Sequence, residues 1–227
     1  MTHEAASSPA APDRPACRLV ILDFDGTLAD TFPWFSSVLN SVALRYGFRA
    51  VAPDEVDLLR GCGAREVLAR LGIPSWKVPF IARHMRRRAA EARDDFPLFP
   101  GMDEAVRAMH AAGVELAVVT SNREATVRHV LGPELAARIA FYRCGTSLFG
   151  KATVFRRLLR ESGVSPAMAL AVGDESRDFA AARRAGIAFA AVPWGYMHPD
   201  ALRAHGVERV FASAQDLCAA VLGPGGG

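Results

Sequence analysis

Leu22-Asp23-Phe24-Asp25-Gly26-Thr27-Leu28 is the stretch on which the reading of this chain turns. It closes a short apolar run, Arg18 to Leu22, that reads as a buried strand. Two carboxylates two positions apart follow, and a glycine comes next. An unpaired ionised carboxylate beside a hydrophobic core is costly, so this pair must meet a cation or act on a ligand. A lone Asp-x-Asp also suits a strand-ending turn with a second Asp capping it. Asp-x-Asp-Gly-Thr directly after a strand is a far more specific pattern.

Working outward, the same design recurs. Glu115 to Val119 ends before Thr120, and Met168 to Val172 ends before Gly173; Ile139 to Tyr142 and Ile187 to Val192 are weaker runs of the same character. Segments with helical spacing follow, such as Phe155, Leu158 and Leu159 after Lys151, or Phe179 and Ala182 ending at Gly186. Alternating strands and helices imply an α/β fold with a Rossmann-like parallel sheet, covered on both faces, that binds ligands at the carboxyl ends of its strands. From about Thr31 to Asp95 only helices are expected. Phe35, Val38, Leu39, Val42 and Tyr46 form an apolar stripe that stops at Gly47, and weaker helical segments lie near Ala64 to Leu71 and Pro79 to Arg93. This predicts an inserted all-helical cap over 31–96, between core segments 17–30 and 97–222, with Met102 to Ala112 as the helix that returns the chain to the core. An Ala-, Ser- and Pro-rich leader over 1–16 and a glycine-rich tail over 223–227 are expected to be disordered.

Composition excludes several classes. The chain has 227 residues, 51% hydrophobic and 22% charged, a globular balance. Its 27 Lys and Arg against 24 Asp and Glu leave a net charge of +3, too little for nucleic acid to be the default partner. No run approaches the roughly 18 to 20 apolar residues of a membrane span, and residues 1–16 lack the basic region and apolar run expected of a secretory signal. Cys17, Cys62, Cys144 and Cys218 lie singly, without metal-site spacing. A cytoplasmic protein with reduced thiols, no membrane or nucleic-acid partner, and a monomeric or dimeric state is the expectation.

Three further constellations sit at expected strand ends. Thr120-Ser121-Asn122 places hydroxyls and an amide before a helix, which suits either an ordinary N-cap or an anion site built with helix N–H groups. Lys151, in Phe149-Gly150-Lys151, stands at a loop-to-helix junction, although most lysines are solvated. Gly173-Asp174-Glu175-Ser176-Arg177-Asp178 again puts carboxylates after a buried strand, where helix-dipole complementation alone would account for Glu175.

Together these four elements resemble the haloacid dehalogenase-like hydrolase superfamily, in its phosphoglycolate phosphatase-like and β-phosphoglucomutase-like members with a helical cap. The resemblance covers nearly all of residues 18–212. It implies that Asp23 attacks phosphorus to give an aspartyl-phosphate, and that Asp25 protonates the leaving oxygen and then deprotonates water. It implies that Thr120 binds a phosphoryl oxygen, with Ser121, Asn122 and Gly26 lining the same site, and that Lys151 neutralises nucleophile and phosphate. Asp174 would coordinate a metal, while Asp178 would hold a metal-bound water or orient Lys151. Glu175 would stand just behind the site. Asp23, the backbone carbonyl of Asp25, and Asp174 form an oxygen-only set that suits Mg²⁺ and not zinc. True dehalogenases lack an acid at the position of Asp25, so the implied chemistry is phosphoryl transfer. Lys151 is not followed by the proline familiar in phosphoglycolate phosphatase-like members.

A cap of this size implies a small phosphorylated metabolite as substrate. In it, Arg60 and Arg65 flank glycines and are candidates to reach a substrate carboxylate or second phosphate, unless the segment is a plain interhelical turn. Trp194 reads as a packing residue. The alternatives are a sugar-phosphate mutase, a non-catalytic binding module of the same fold, and, less favoured because the lone cap lysine Lys77 sits in an unpersuasive context, a carbon–phosphorus hydrolase.

Overall fold

Four consecutive apolar residues have no face that water can accept, and Leu19–Leu22 is buried at every position. In this computed structural model, which describes residues 17–223, that strand lies at the centre of a five-stranded sheet. The expected leader over 1–16, and the tail beyond Gly223, fall outside the described residues. The chain runs β1 (Leu19–Leu22), α1 (Phe32–Tyr46), α2 (Glu55–Arg60), α3 (Ala64–Arg70), α4 (Val78–Glu91) and α5 (Met102–Ala111) before β2 (Glu115–Val119). It continues with α6 (Glu124–Ala136), β3 (Phe141–Arg143), α7 (Lys151–Ser162), β4 (Ala169–Gly173), α8 (Ser176–Ala185), β5 (Ala188–Ala191), α9 (Pro199–Ala204) and α10 (Ala214–Leu222).

All strands are parallel, in the order β3-β2-β1-β4-β5. The chain builds one side of β1 and then crosses to the other, which makes the gap between β1 and β4 the switch point where such sheets bind ligands. Leu22 pairs with both Val118 and Val172, so Asp23, Thr120 and Asp174 leave the sheet at nearly one level. Alternate strand residues serve opposite layers. Val20, Leu22, Leu116 and Val118 pack with Met102, Met109, Leu131 and Leu217 of α5, α6 and α10. Leu19, Ile21, Ala117 and Ala171 face Phe155, Leu158 and Ala182 of α7 and α8. Burial on both faces explains why the strands read as unbroken apolar runs.

Helices α1 to α4 leave and return through a narrow neck: Asp30 N–H bonds Pro97 O at 2.9 Å and Phe99 N–H bonds Leu28 O at 3.0 Å. They carry a small core of their own around Val51, Leu59 and Leu71. Gly47 ends α1 in the left-handed conformation (φ 62°), which a glycine adopts without steric cost.

Several element boundaries differ from expectation by a residue or two, and at β4 and β5 the local reason is visible. Met168 closes a 3₁₀ turn started by Pro166, so β4 opens one residue later. Ile187 bonds back to Ala182 O in the cap of α8, which delays β5 to Ala188. The third expected strand, Ile139 to Tyr142, is realised as Phe141–Arg143. Among the described residues no helix is long and apolar enough to cross a membrane.

Candidate active site

β1 delivers Asp23 to the switch point, and its backbone N–H still bonds Val172 O of β4 at 2.9 Å. One carboxylate oxygen accepts from Phe24 N–H at 2.7 Å; the other lies 2.6 Å from Lys151 Nζ. Lys151 begins α7, is buried, and also donates to Asp178 Oδ1 at 2.7 Å. The sequence left Lys151 open to being a solvated surface charge; the structure places it between two buried carboxylates.

Asp174 is buried where β4 ends. Its Oδ1 accepts from Thr27 Oγ1 at 3.2 Å and its Oδ2 from Tyr196 N–H at 2.7 Å. Gly26 runs so close that a Cβ there would lie 2.2 Å from Asp174 Oδ2, with φ at +75°. Here the backbone of the Asp-Gly-Thr turn must pass against the carboxylate, and only glycine fits. Asp25 is held from the β2 side, accepting from Thr120 Oγ1 and Asn122 Nδ2, both at 3.3 Å. Asn122 N–H bonds Thr120 Oγ1 at 2.9 Å, which fixes the hydroxyl. Asp23, Asp25, Thr120, Asn122, Lys151, Asp174 and Asp178 therefore converge at the carboxyl end of the central strands. Ser121 is half-buried on the same loop, and Glu175 pairs with Arg177.

Burial dominates the electrostatics. Removal from water pushes Asp23 up to about 7, against the opposing pull of Lys151 and Arg177. Asp174 is raised well above the carboxylate range by burial and by the nearby Glu175 and Asp23. Burial also raises Asp25, against hydrogen bonds from Thr31, Asn122 and Thr120. Burial alone would lower Lys151, but Asp178 and Asp23 together raise it, so it stays charged. Oxygens of Asp23, Asp174 and Asp178 lie within 4.8 Å of one another, and Asp178 Oδ2 is buried with no protein partner. Three carboxylates against one ammonium, one oxygen unpaired, form a donor set that fits a hard divalent cation.

The cap arginines separate. Arg60 donates to the carbonyls of Tyr196 (3.1 Å) and Gly195 (2.9 Å) and lies over the Phe32 ring, tying the α2–α3 turn to the loop after β5. The expectation of a substrate contact at Arg60 meets a guanidinium already occupied by the fold. Arg65 is exposed, stacked 5.1 Å over Phe149. The sequence reading gave no role to Thr27, Tyr196 or Arg177. Thr27 lies inside the quoted motif and was legible there. Tyr196 had no spacing signal, because a loop after the last strand brings it in; its hydroxyl meets Thr31 Oγ1 at 3.0 Å, and its ring packs edge-on to Phe32 and Phe35. Trp194 donates to Thr27 O at 3.2 Å and packs near Phe99.

Residues 20–192 match the Haloacid dehalogenase-like hydrolase family. The chain belongs to that family. Phosphoglycolate phosphatase from Synechococcus elongatus is 27% identical over 203 residues, spanning 89% of this chain and 96% of that protein. Phosphoglycolate phosphatase from Agrobacterium fabrum is 30% identical over 194 residues, spanning 81% and 83%. A solved structure, the haloacid dehalogenase-like family hydrolase SP0104 from Streptococcus pneumoniae, shares the fold with a TM-score of 0.72 at 18% identity, over 90% of this chain and 98% of that one. Within the family the chain is thus similar to its phosphoglycolate phosphatase-like members, with an α/β Rossmann-like core.

Proposed function

We propose that this family member is a divalent-metal-dependent phosphatase that hydrolyses a small phosphorylated metabolite through an aspartyl-phosphate at Asp23. The observation that carries the reading is the meeting of Asp23, Asp174 and Asp178 within 4.8 Å, with buried Lys151 bonded to two of them. Similarity to phosphoglycolate phosphatases over most of both chains supports the substrate class.

Asp23 attacks phosphorus while the bond to the leaving oxygen breaks, and Asp25 donates its proton to that oxygen. Burial raises Asp25, which makes its protonated form available for this step. Thr120 and Asn122 hold Asp25 in place and, with Ser121 and the Gly26 backbone, line the phosphoryl pocket. The ionised Asp25 then takes a proton from water, which attacks the aspartyl-phosphate, releases inorganic phosphate and restores Asp23. Lys151 offsets the charge on Asp23 and the phosphoryl group, and Asp178 keeps that ammonium aimed. Asp23, the main-chain carbonyl of Asp25, and Asp174 are the groups that would hold Mg²⁺. When bound, the ion neutralises charge on both nucleophile and phosphate, which otherwise repel. Helices α1 to α4 act as the cap that closes the site against large substrates, with Arg65 as its candidate specificity residue.

Phosphate release from p-nitrophenyl phosphate and 2-phosphoglycolate, with Mg²⁺ and with chelator, tests this. Turnover that needs the metal is expected for wild type, with none for Asp23→Asn.

A further inference from the structure

Arg177 stands in the second position of α8, and its guanidinium is sunk beside the catalytic carboxylates. Nη2 pairs with Glu175 Oε1, while Nε and Nη1 are buried with no hydrogen-bond partner at all. Three N–H donors without an acceptor, away from water, are an expense that folded proteins rarely carry without a ligand to meet it. The same side chain lines a cleft of about 450 Å³ between the start of α3 and the helices α7 and α8. Lys151 also lines that cleft, and its Nζ is 2.6 Å from Asp23, so this lysine links the cleft to the reacting centre. Arg65, Arg183 and Arg184 line it as well, and Glu66 is the lone carboxylate among its lining residues. Cationic groups thus mark a path from Lys151 outward past Arg177 to the rim at Arg65. A transferable phosphoryl group needs only the near end of that path.

We infer that Arg177 binds a second anionic group of the substrate, separate from the phosphoryl group that is cleaved, and so selects phosphate esters whose leaving group carries a carboxylate or a further phosphate. The inference rests on the phosphatase reading above and adds a specificity-determining residue to it. Glu175 holds the guanidinium by one nitrogen, which leaves the others aimed and pre-organised for the ligand.

The test is the kcat/KM of wild type, Arg177→Gln and Arg177→Lys for three esters with Mg²⁺ present: 2-phosphoglycolate, ethane-1,2-diol bisphosphate, and ethyl phosphate, whose leaving group is uncharged. Wild type should prefer one of the charged esters over ethyl phosphate by about 10- to 100-fold, the range for a charged hydrogen bond. The better of the two charged esters identifies the anion. In Arg177→Gln that preference should collapse, mainly through KM, with the charged esters losing about tenfold or more beyond any loss on ethyl phosphate. Arg177→Lys should keep part of it. Equal losses on all three esters, or a wild type that does not favour a charged ester, would overturn the assignment. If thermal melts show Arg177→Gln unfolded, Arg177→Lys decides by the same comparison. Failure of wild type to hydrolyse any of the three, or p-nitrophenyl phosphate, would instead remove the phosphatase reading underneath.

Discussion

Asp23 and Asp25 are two residues apart and have different surroundings, and that difference supports the separate roles proposed for them. Asp23 faces Lys151 and the acidic cluster, whereas Asp25 is held by neutral donors, Thr120 and Asn122. Burial raises Asp25 despite those donors, so it can carry a proton, while Lys151 at 2.6 Å favours the ionised form of Asp23. Asp25→Ala is therefore expected to slow poor leaving groups, such as alkyl phosphates, by about 10²- to 10⁴-fold, and aryl phosphates much less. Steady-state rates on a leaving-group series check this, and equal losses across it would remove Asp25 as the acid. Gly26 makes a sharper structural prediction. Gly26→Ala forces a left-handed turn on an alanine and drives its Cβ into Asp174 and Tyr196, so a loss of about 1–3 kcal/mol in stability is expected by urea unfolding, along with activity.

At the scale of elements, the sheet explains what was legible in the sequence. Strands buried on both faces appear as unbroken apolar runs, so β1, β2 and β4 and the polar residues that end them stand out in one dimension. The Asp-x-Asp-Gly-Thr motif, Thr120-Ser121-Asn122 and Asp174 with Asp178 stand out on that ground, whereas Lys151 follows the half-buried β3 and takes its role from the family resemblance alone. The missing parts depend on contacts between distant segments. Tyr196 reaches Asp174 only because the loop after β5 folds back, and Arg60 is occupied by carbonyls that no local pattern reveals. Helix α6 is broken at Gly132-Pro133, where φ 71° and ψ 165° leave the helical region, which dilutes its periodicity. The junction of α7 with the site yields a further test. Lys151→Met leaves Asp23 and Asp178 buried without their shared cation, which should cost about 3–5 kcal/mol by denaturant unfolding in the absence of metal. An unchanged midpoint would mean that the two ion pairs of Lys151 add nothing to stability.

For the whole molecule, a cluster of buried acids ties stability to pH and to the cation. Asp23 is raised from 3.8 to about 7 in the folded state, and Asp174 is raised as well. A folded state that holds protons more tightly than the unfolded chain loses stability as pH rises. In chelator, the melting temperature should therefore fall between pH 4 and 7, and Asp23→Asn should flatten part of that slope. Mg²⁺ added at pH 7.5 should raise the melting temperature in wild type and much less in Asp174→Asn. On the proposed route Asp23 becomes covalently phosphorylated. Mass spectrometry of the peptide that contains Asp23, after acid quench of enzyme turning over a phosphate ester, tests it directly. A phosphoryl adduct is expected on Asp23, appearing only with substrate and Mg²⁺ and absent in Asp23→Asn. Undiminished turnover by Asp23→Asn, or an adduct on another residue, would contradict it.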